Sequence, residues 1–259
     1  MKLRLGCDPE VFLLNQQGKF VSSIDKVGGS KLIPRQLEGM EKGFTVQEDN
    51  VALEFGIPPA SSAKDFVSKI RAVMKETQEK IVPGYHFSNV SCVSFPEEEM
   101  KDTRAFVFGC EPDFNAWTKE QNVMPEVNDL YLRSAGGHIH VETNINKEIG
   151  VKYMDLFVGI PSVLMDQGHL RKQLYGKAGA YRPKPYGFEY RTPSNYWIFN
   201  DDLIEWVWRN TEYAMIHVEQ DDLTIDNYSG LINDAINNNN TKVAQELVDA
   251  FSLEVLHVC

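Results

Sequence analysis

The stretch SAGGHIHVETN, residues 134–144, places two histidines two positions apart behind a pair of glycines. On a strand, side chains at i and i+2 share a face, so His138 and His140 point one way while Ile139 and Val141 point the other. Solvated strand faces favour Lys, Thr, Ser and Gln over histidine, so an HxH strand marks a concave surface better than an outer one. Working outward, the same logic recurs. In GFEYRTPS (187–194), Glu189 and Arg191 share a face against Phe188 and Tyr190. In LGCDPEVF (5–12), Asp8 and Glu10 share one against Cys7, Pro9 and Val11. FTVQEDNVALEFGIPP (44–59) reads as a strand or hairpin pair ended by Pro58 and Pro59, with Glu54 opposite the Val51, Leu53 and Phe55 face. FGCEPDFN (108–115) echoes the first motif, setting Glu111 and Asp113 against Cys110, Pro112 and Phe114.

Pro9 and Pro112 each remove a ladder donor, which restricts both acid-Pro-acid motifs to edges, bulges or strand starts. Residues 3–14 are expected as one strand, with a turn at NQQGK, a return strand at FVSSI and a Gly-rich loop at 26–31. Further strands are expected at 89–95 and 104–117. Ser62 followed by Asp65 signals a helix start, and Phe66, Ile70, Val73, Met74 and Ile81 fall on one face of the helix that follows. Residues 147–174 have helical composition with a break at Gly159–Pro161, and 175–187 read as a mobile loop. From about Asp201 the chain is expected to be mostly helical, with Trp197, Phe199, Trp206 and Trp208 serving as packing surface. No linker or long repeat divides it, so the expectation is one α+β domain over residues 1–259, with antiparallel strands separated by outer helices.

A formal net charge of −11 with no offsetting basic run excludes a general nucleic-acid binder. MKLRLGCDPE lacks the apolar core of a signal peptide, and the apolar run near Tyr153–Met165 is too short and interrupted for a membrane span. The four cysteines have no CxxC spacing, which excludes a zinc knuckle or redox motif and makes reduced thiols in a cytoplasmic setting the expectation. His86, His169, His217 and His257 sit in contexts that suit surface or packing roles.

If the polar strand faces converge, the ligand set is mostly carboxylate with one or two imidazoles. Zinc sites use more His or Cys, whereas an oxygen-rich set favours magnesium or manganese. Hard cations amid acids, with arginines at hand, suit a phosphate-bearing substrate. The residues alone therefore lead to a metal–nucleotide enzyme. Alternatives stay open: a metal-dependent hydrolase using HxH and the acids, a guanidino-kinase-like phosphotransferase, or a non-catalytic structural or accessory protein whose acids merely solvate a sheet.

The motifs resemble those of a known group. GGHIHV is similar to the Gly-x-His-x-His strand of glutamine synthetases, and GFEYRTPSNYW to their Glu-x-Arg strand with its Asn-Pro-Tyr-like continuation. GCDPEVFL resembles their first acidic strand, and QEDNVALEF the next acidic strand of the related glutamate–cysteine ligases. The order holds across residues 5–197, and the match is to the phage-encoded carboxylate–amine (COOH–NH2) ligase family, type 2, of the glutamine-synthetase-like amidoligases. The resemblance implies a curved antiparallel sheet backed by helices, and an ATP- and Mg2+- (or Mn2+-) dependent enzyme. ATP would phosphorylate a substrate carboxylate, and an amine would displace phosphate from the acyl phosphate. Carried over, Asp8, Glu10, Glu54 and Glu189 would be metal ligands with His138 beside them. His140 and Lys177 would lie on the nucleotide side, and Arg191 and Arg182, with Glu189, would be catalytic. Glu48 and Asp49 compete as the acid before Glu54.

This chain departs from the pattern in three ways. Asp8 stands where the synthetases have Glu, the resemblance starts without their N-terminal domain, and Glu111 and Asp113 have no counterpart there. These two acids are candidates for the amine substrate. The implied partners are a small-molecule or peptide carboxylate and an amine, with homo-oligomerisation open.

Overall fold

The computed structural model describes residues 3–106, 113–123, 128–220 and 223–256. The first expected strand is in fact two, β1 (Arg4–Cys7) and β2 (Glu10–Leu14), broken at Asp8–Pro9. Pro9 has no N–H to continue a ladder, and its carbonyl instead accepts from Phe55 N at 3.0 Å. A turn leads to the short return strand β3 (Phe20–Val21), then β4 (Arg35–Gln36). The hairpin β5 (Thr45–Asp49) and β6 (Ala52–Gly56) turns at Asn50, which takes the left-handed conformation (φ +60°) that Asn tolerates better than most residues.

Helix α1 (Ala63–Glu76) starts where the capping signal places it, with Ser62 Oγ accepting from Asp65 N at 3.2 Å. The Asp65 carboxylate reaches back one residue further, to Ser61 N at 2.9 Å. Phe66, Ile70 and Val73 form its buried face, and Phe66 stacks on Trp197 with ring centroids 5.8 Å apart.

Strands β7 (His86–Ser88) and β8 (Cys92–Ser94) follow. Of the strand expected over 104–117, the described residues show a 3₁₀ turn at Thr103–Phe106 and an extended segment at β9 (Phe114–Asn115). Glu111, Cys110 and Pro112 lie outside the described residues. Next come β10 (Leu132–Ser134) and the histidine strand β11 (Ile139–Glu142).

Helices α2 (Lys147–Met154) and α3 (Ile160–Met165) are joined by a π turn over Asp155–Gly159, where a break was expected. The wider turn carries the helix past Pro161, which cannot donate to the turn before it. After α4 (His169–Leu174) comes a second correction. The expected mobile loop contains β12 (Ala180–Lys184), hydrogen-bonded to β13 (Gly187–Tyr190). Its prolines misdirect the reading. Among the described residues β9 pairs with Ala180 and Tyr181, and Pro183 lies beyond them, in register with Phe188 on the other side. Helices α5 (Asp201–Gln220), α6 (Ser229–Asn237) and α7 (Thr241–Phe251) form the helical part expected from about 201.

The fold class is α+β, with antiparallel pairing in each strand ladder. Among the described residues one sheet runs β1-β11-β13-β12-β9, and another runs β3-β2-β6-β5-β4 with β7 also on β2. The chain passes directly from the first sheet to the second at Asp8–Pro9, so the two curl around a shared concave side. Helix α2 packs on β12 and β13, α5 packs on α1 and α2, and Trp197, Trp206, Tyr153 and Phe188 are fully buried. No helix among the described residues is long and apolar enough to cross a membrane.

Candidate active site

Strand register writes the site. In the first sheet Gly6 lies opposite His140, His140 opposite Glu189, and Glu189 opposite Arg182, giving one row across four strands. In the second, Glu10 lies opposite Glu54, and Glu54 opposite Gln47. Like charges placed directly across a ladder are destabilising, so the Glu10–Glu54 pair calls for positive charge between its carboxylates. The rows are joined by Asp8–Pro9, so Asp8 falls to the first and Glu10 to the second. The sequence reading had put both acids on one strand face; the chain break assigns each to its own cluster.

Around Asp8, His140 Nε2 stands 3.0 Å and His138 Nδ1 3.4 Å from Asp8 Oδ1. Glu189 is fully buried and receives Arg191, Arg182 at 3.2 Å and Lys184 at 2.8 Å. Asp113 reaches Arg191 Nε at 3.5 Å, which brings one acid of the second acid-Pro-acid motif to the edge of the site. Burial alone would raise the Asp8 carboxyl, but the two imidazoles hold it well below the usual range. Burial and the Asp8 charge push Glu189 up, yet Arg191 and the histidines bring it down to about 2. Burial and the Arg191 charge lower His138 to about 4, whereas His140, despite its burial, is raised by Asp8.

The other cluster has the opposite electrostatics. Glu10, Asp49 and Glu54 each offer an oxygen within 4.8 Å of the others'. Burial and the Asp49 charge raise Glu10 to about 8, against a 2.7 Å hydrogen bond from Gly136 N. Burial and four neighbouring carboxylates raise Glu54 well above its ordinary value. This is a site short of positive charge. Of the two acids before Glu54, Asp49 is the one that joins this cluster. Glu48 turns away, accepting from Gly28 N at 2.9 Å and lying 3.5 Å from Arg104.

Both clusters fit divalent cations. The second is all oxygen, as a hard cation prefers. In the first, Asp8, His140 and Glu189 also offer ligand atoms within 4.8 Å of one another, and Asp8 Oδ1 and His140 Nε2 are buried without an aligned hydrogen bond. The two clusters open into one cleft of about 390 Å³, also lined by Lys31, Arg182, Lys184 and Arg191. Lys177 is not brought to this cleft: its side chain is exposed, and its carbonyl accepts from Thr192 and Ala180.

Two groups escaped the sequence reading. Lys184 shares a face with Arg182, a relation visible only once residues 180–184 are taken as a strand. Asp155, fully buried behind the first sheet, accepts from Trp117 Nε1 (2.7 Å), Gly179 N (2.6 Å) and Tyr190 OH (2.8 Å), tying β9, β12 and β13 to the helix layer. Glycines make the close approaches. A Cβ at Gly136 would lie 2.3 Å from His138 Nε2, and one at Gly137 would lie 2.2 Å from Ser194 O.

No curated sequence matches the chain. Among solved structures, a bifunctional glutathione synthetase from Pasteurella multocida is similar over 97% of this chain and 49% of its own, with 10% identity and a TM-score of 0.44. The chain thus spans about half the length of that protein, and a likeness so distant carries no chemistry. The family comparison is of a different kind: residues 129–242, which hold the histidine strand, Arg182 and the Glu-x-Arg strand, match the phage phiEco32-like COOH.NH2 ligase-type 2 family, the one the motifs resemble.

Proposed function

We propose that the protein is an ATP-dependent carboxylate–amine ligase that activates a carboxylate as an acyl phosphate and transfers the acyl group to an amine. One observation carries this reading: two three-ligand clusters, one of them short of positive charge, share a cleft with three cations anchored on Glu189. The matched family supports it by naming both reacting groups.

Glu10, Asp49 and Glu54 would hold one Mg2+ or Mn2+, and Asp8, His140 and Glu189 a second, with His138 packed beside them. Such ions neutralise phosphate oxygens and align them for in-line transfer. Arg191, fixed by Glu189 and Asp113, presents a planar donor fork suited to a carboxylate or a transferring phosphoryl group. Arg182 and Lys184, held by the same carboxylate from the neighbouring strand, add positive charge where negative charge develops. The substrates are a small-molecule or peptide carboxylate and an amine.

ADP release tests this directly. It should require a carboxylate, an amine and a divalent cation together, and Glu54→Gln should abolish it with the fold intact. Turnover without nucleotide by a zinc-loaded protein would replace the reading with that of a metal-dependent hydrolase.

A further inference from the structure

A second cleft of about 400 Å³ lies behind the first, between the β7–β8 connection, the α3–α4 junction and the start of α5. Its polar end is Asp166, which is 5% exposed. Asp166 Oδ1 accepts from Gly168 N at 2.7 Å, while Oδ2 is buried without a partner. The hydroxyl of Tyr196, which lines the same cleft, is also buried and unpartnered.

Arg171 and Lys172 lie near enough to feel the Asp166 charge, but their hydrogen bonds go to backbone carbonyls and leave Oδ2 without one. Arg171, 2% exposed, donates to the carbonyls of Thr192 (3.0 Å) and Arg191 (3.2 Å), and Lys172 donates to Thr192 O at 3.3 Å. Arg171 also lies on the side towards the catalytic cleft, where its charge acts on Glu10 and a Cβ at Gly136 would meet its Nη2 at 2.8 Å. The junction is built tightly: a Cβ at Gly168 would meet Ser91 Oγ at 2.1 Å. The other end of the cleft is apolar, lined by Met165 and Leu203, with Leu170 and Val90 42% and 40% exposed at its rim.

We propose that this second cleft binds a primary alkylammonium, with its charge on Asp166 Oδ2 and the Tyr196 hydroxyl and its chain along Leu203, Met165 and Leu170. A buried carboxylate oxygen left unpaired is costly, and an ammonium brings three donors, enough to reach both orphaned oxygens. The apolar walls select an organic cation over a hydrated metal ion. The assignment does not rest on ligase activity, because it concerns a cleft on the far side of Arg171.

Isothermal titration of the full-length protein, without nucleotide or metal, tests it with pentylammonium, pentanol and pentanoate. Pentylammonium should bind at one site, and pentanol and pentanoate about tenfold more weakly or worse. Asp166→Asn keeps an acceptor for Gly168 and should weaken pentylammonium by about tenfold or more. Leu203→Trp should fill the cleft and abolish binding. Cadaverine and Nα-acetyl-lysine amide stand for the two sources of this group, a free diamine and a peptide lysine; binding of either supports the assignment and binding of neither overturns it. It is also overturned if pentanol binds as well as the cation, or if Glu54→Gln weakens binding while Asp166→Asn does not, which would place the amine in the catalytic cleft.

Discussion

Replacing Glu10 by Gln separates a metal cage from an ordinary acidic sheet. Glu10 sits opposite Glu54 and beside Asp49, and burial with the Asp49 charge raises it from an ordinary 4.5 to about 8. An acid raised in the folded state binds its proton more tightly there than in the unfolded chain. Between pH 4.5 and 8 the folded protein therefore holds more protons, and stability must fall as pH rises through that window. The full gap corresponds to roughly 5 kcal/mol at pH 8, and because Glu10 faces an open cleft, solvent screening brings the expected cost nearer to about 2 kcal/mol.

Glu10→Gln keeps an acceptor for Gly136 N–H and removes the charge. In chelator, urea unfolding should show the wild type losing about 2 kcal/mol relative to the variant between pH 5 and pH 8. Adding magnesium or manganese at pH 8 should reverse the order. A cation at one hundred times its Kd stabilises the wild type by about 2.7 kcal/mol, and the variant, short of a ligand, by much less. If the two proteins keep the same stability difference at both pH values, and the cation shifts neither, the carboxylates of this row do not form a charge-deficient site.

Three further outcomes follow from the geometry. Asp155→Ala strands the indole N–H of Trp117 and the amide of Gly179, neither of which can turn away, and should cost about 2–6 kcal/mol by chemical denaturation. Asp155→Asn can direct its carbonyl at both and its NH2 at Tyr190, so it should cost well under half as much. Gly137→Ala drives a methyl to within 2.2 Å of Ser194 O and 2.3 Å of Trp197 Nε1, and should lower the melting temperature by about 5 °C or more with cleft residues unchanged. Arg191→Lys keeps the charge but cannot span Glu189, His138 and Asp113 together, so ADP release should drop by about a hundredfold or more while thermal stability changes little.

The HxH and Glu-x-Arg pairs could be read from sequence because strand alternation is a local property, whereas the break at Pro9 sends Asp8 and Glu10 to different clusters. His138 and His140 both turn to Asp8, and Glu189 and Arg191 touch, as the i, i+2 rule requires. The amphipathic helix after Ser62 was equally legible, since its cap and buried face are set by residues within a few turns of each other. Reading failed where prolines dominated. Pro9 divides one expected strand between two sheets, and Pro183 and Pro185 disguise as a loop the strand that carries Arg182 and Lys184. Proline removes only its own donor, and whether that matters depends on which strand edge has a neighbour there.

By itself, then, the sequence determined which side chains of the histidine and Glu-x-Arg strands share a face and which segment starts a helix. It left open which faces meet. Asp8 joins His140 and Glu189, Glu10 joins Asp49 and Glu54, and Asp113 reaches Arg191 only because the chain steps between sheets at Asp8–Pro9 and strands far apart in sequence align in register. Those contacts are set by ladder pairing and core packing between distant segments. No local spacing records them, and the electrostatics that single out a charge-deficient cluster exist only once the carboxylates have been gathered and buried.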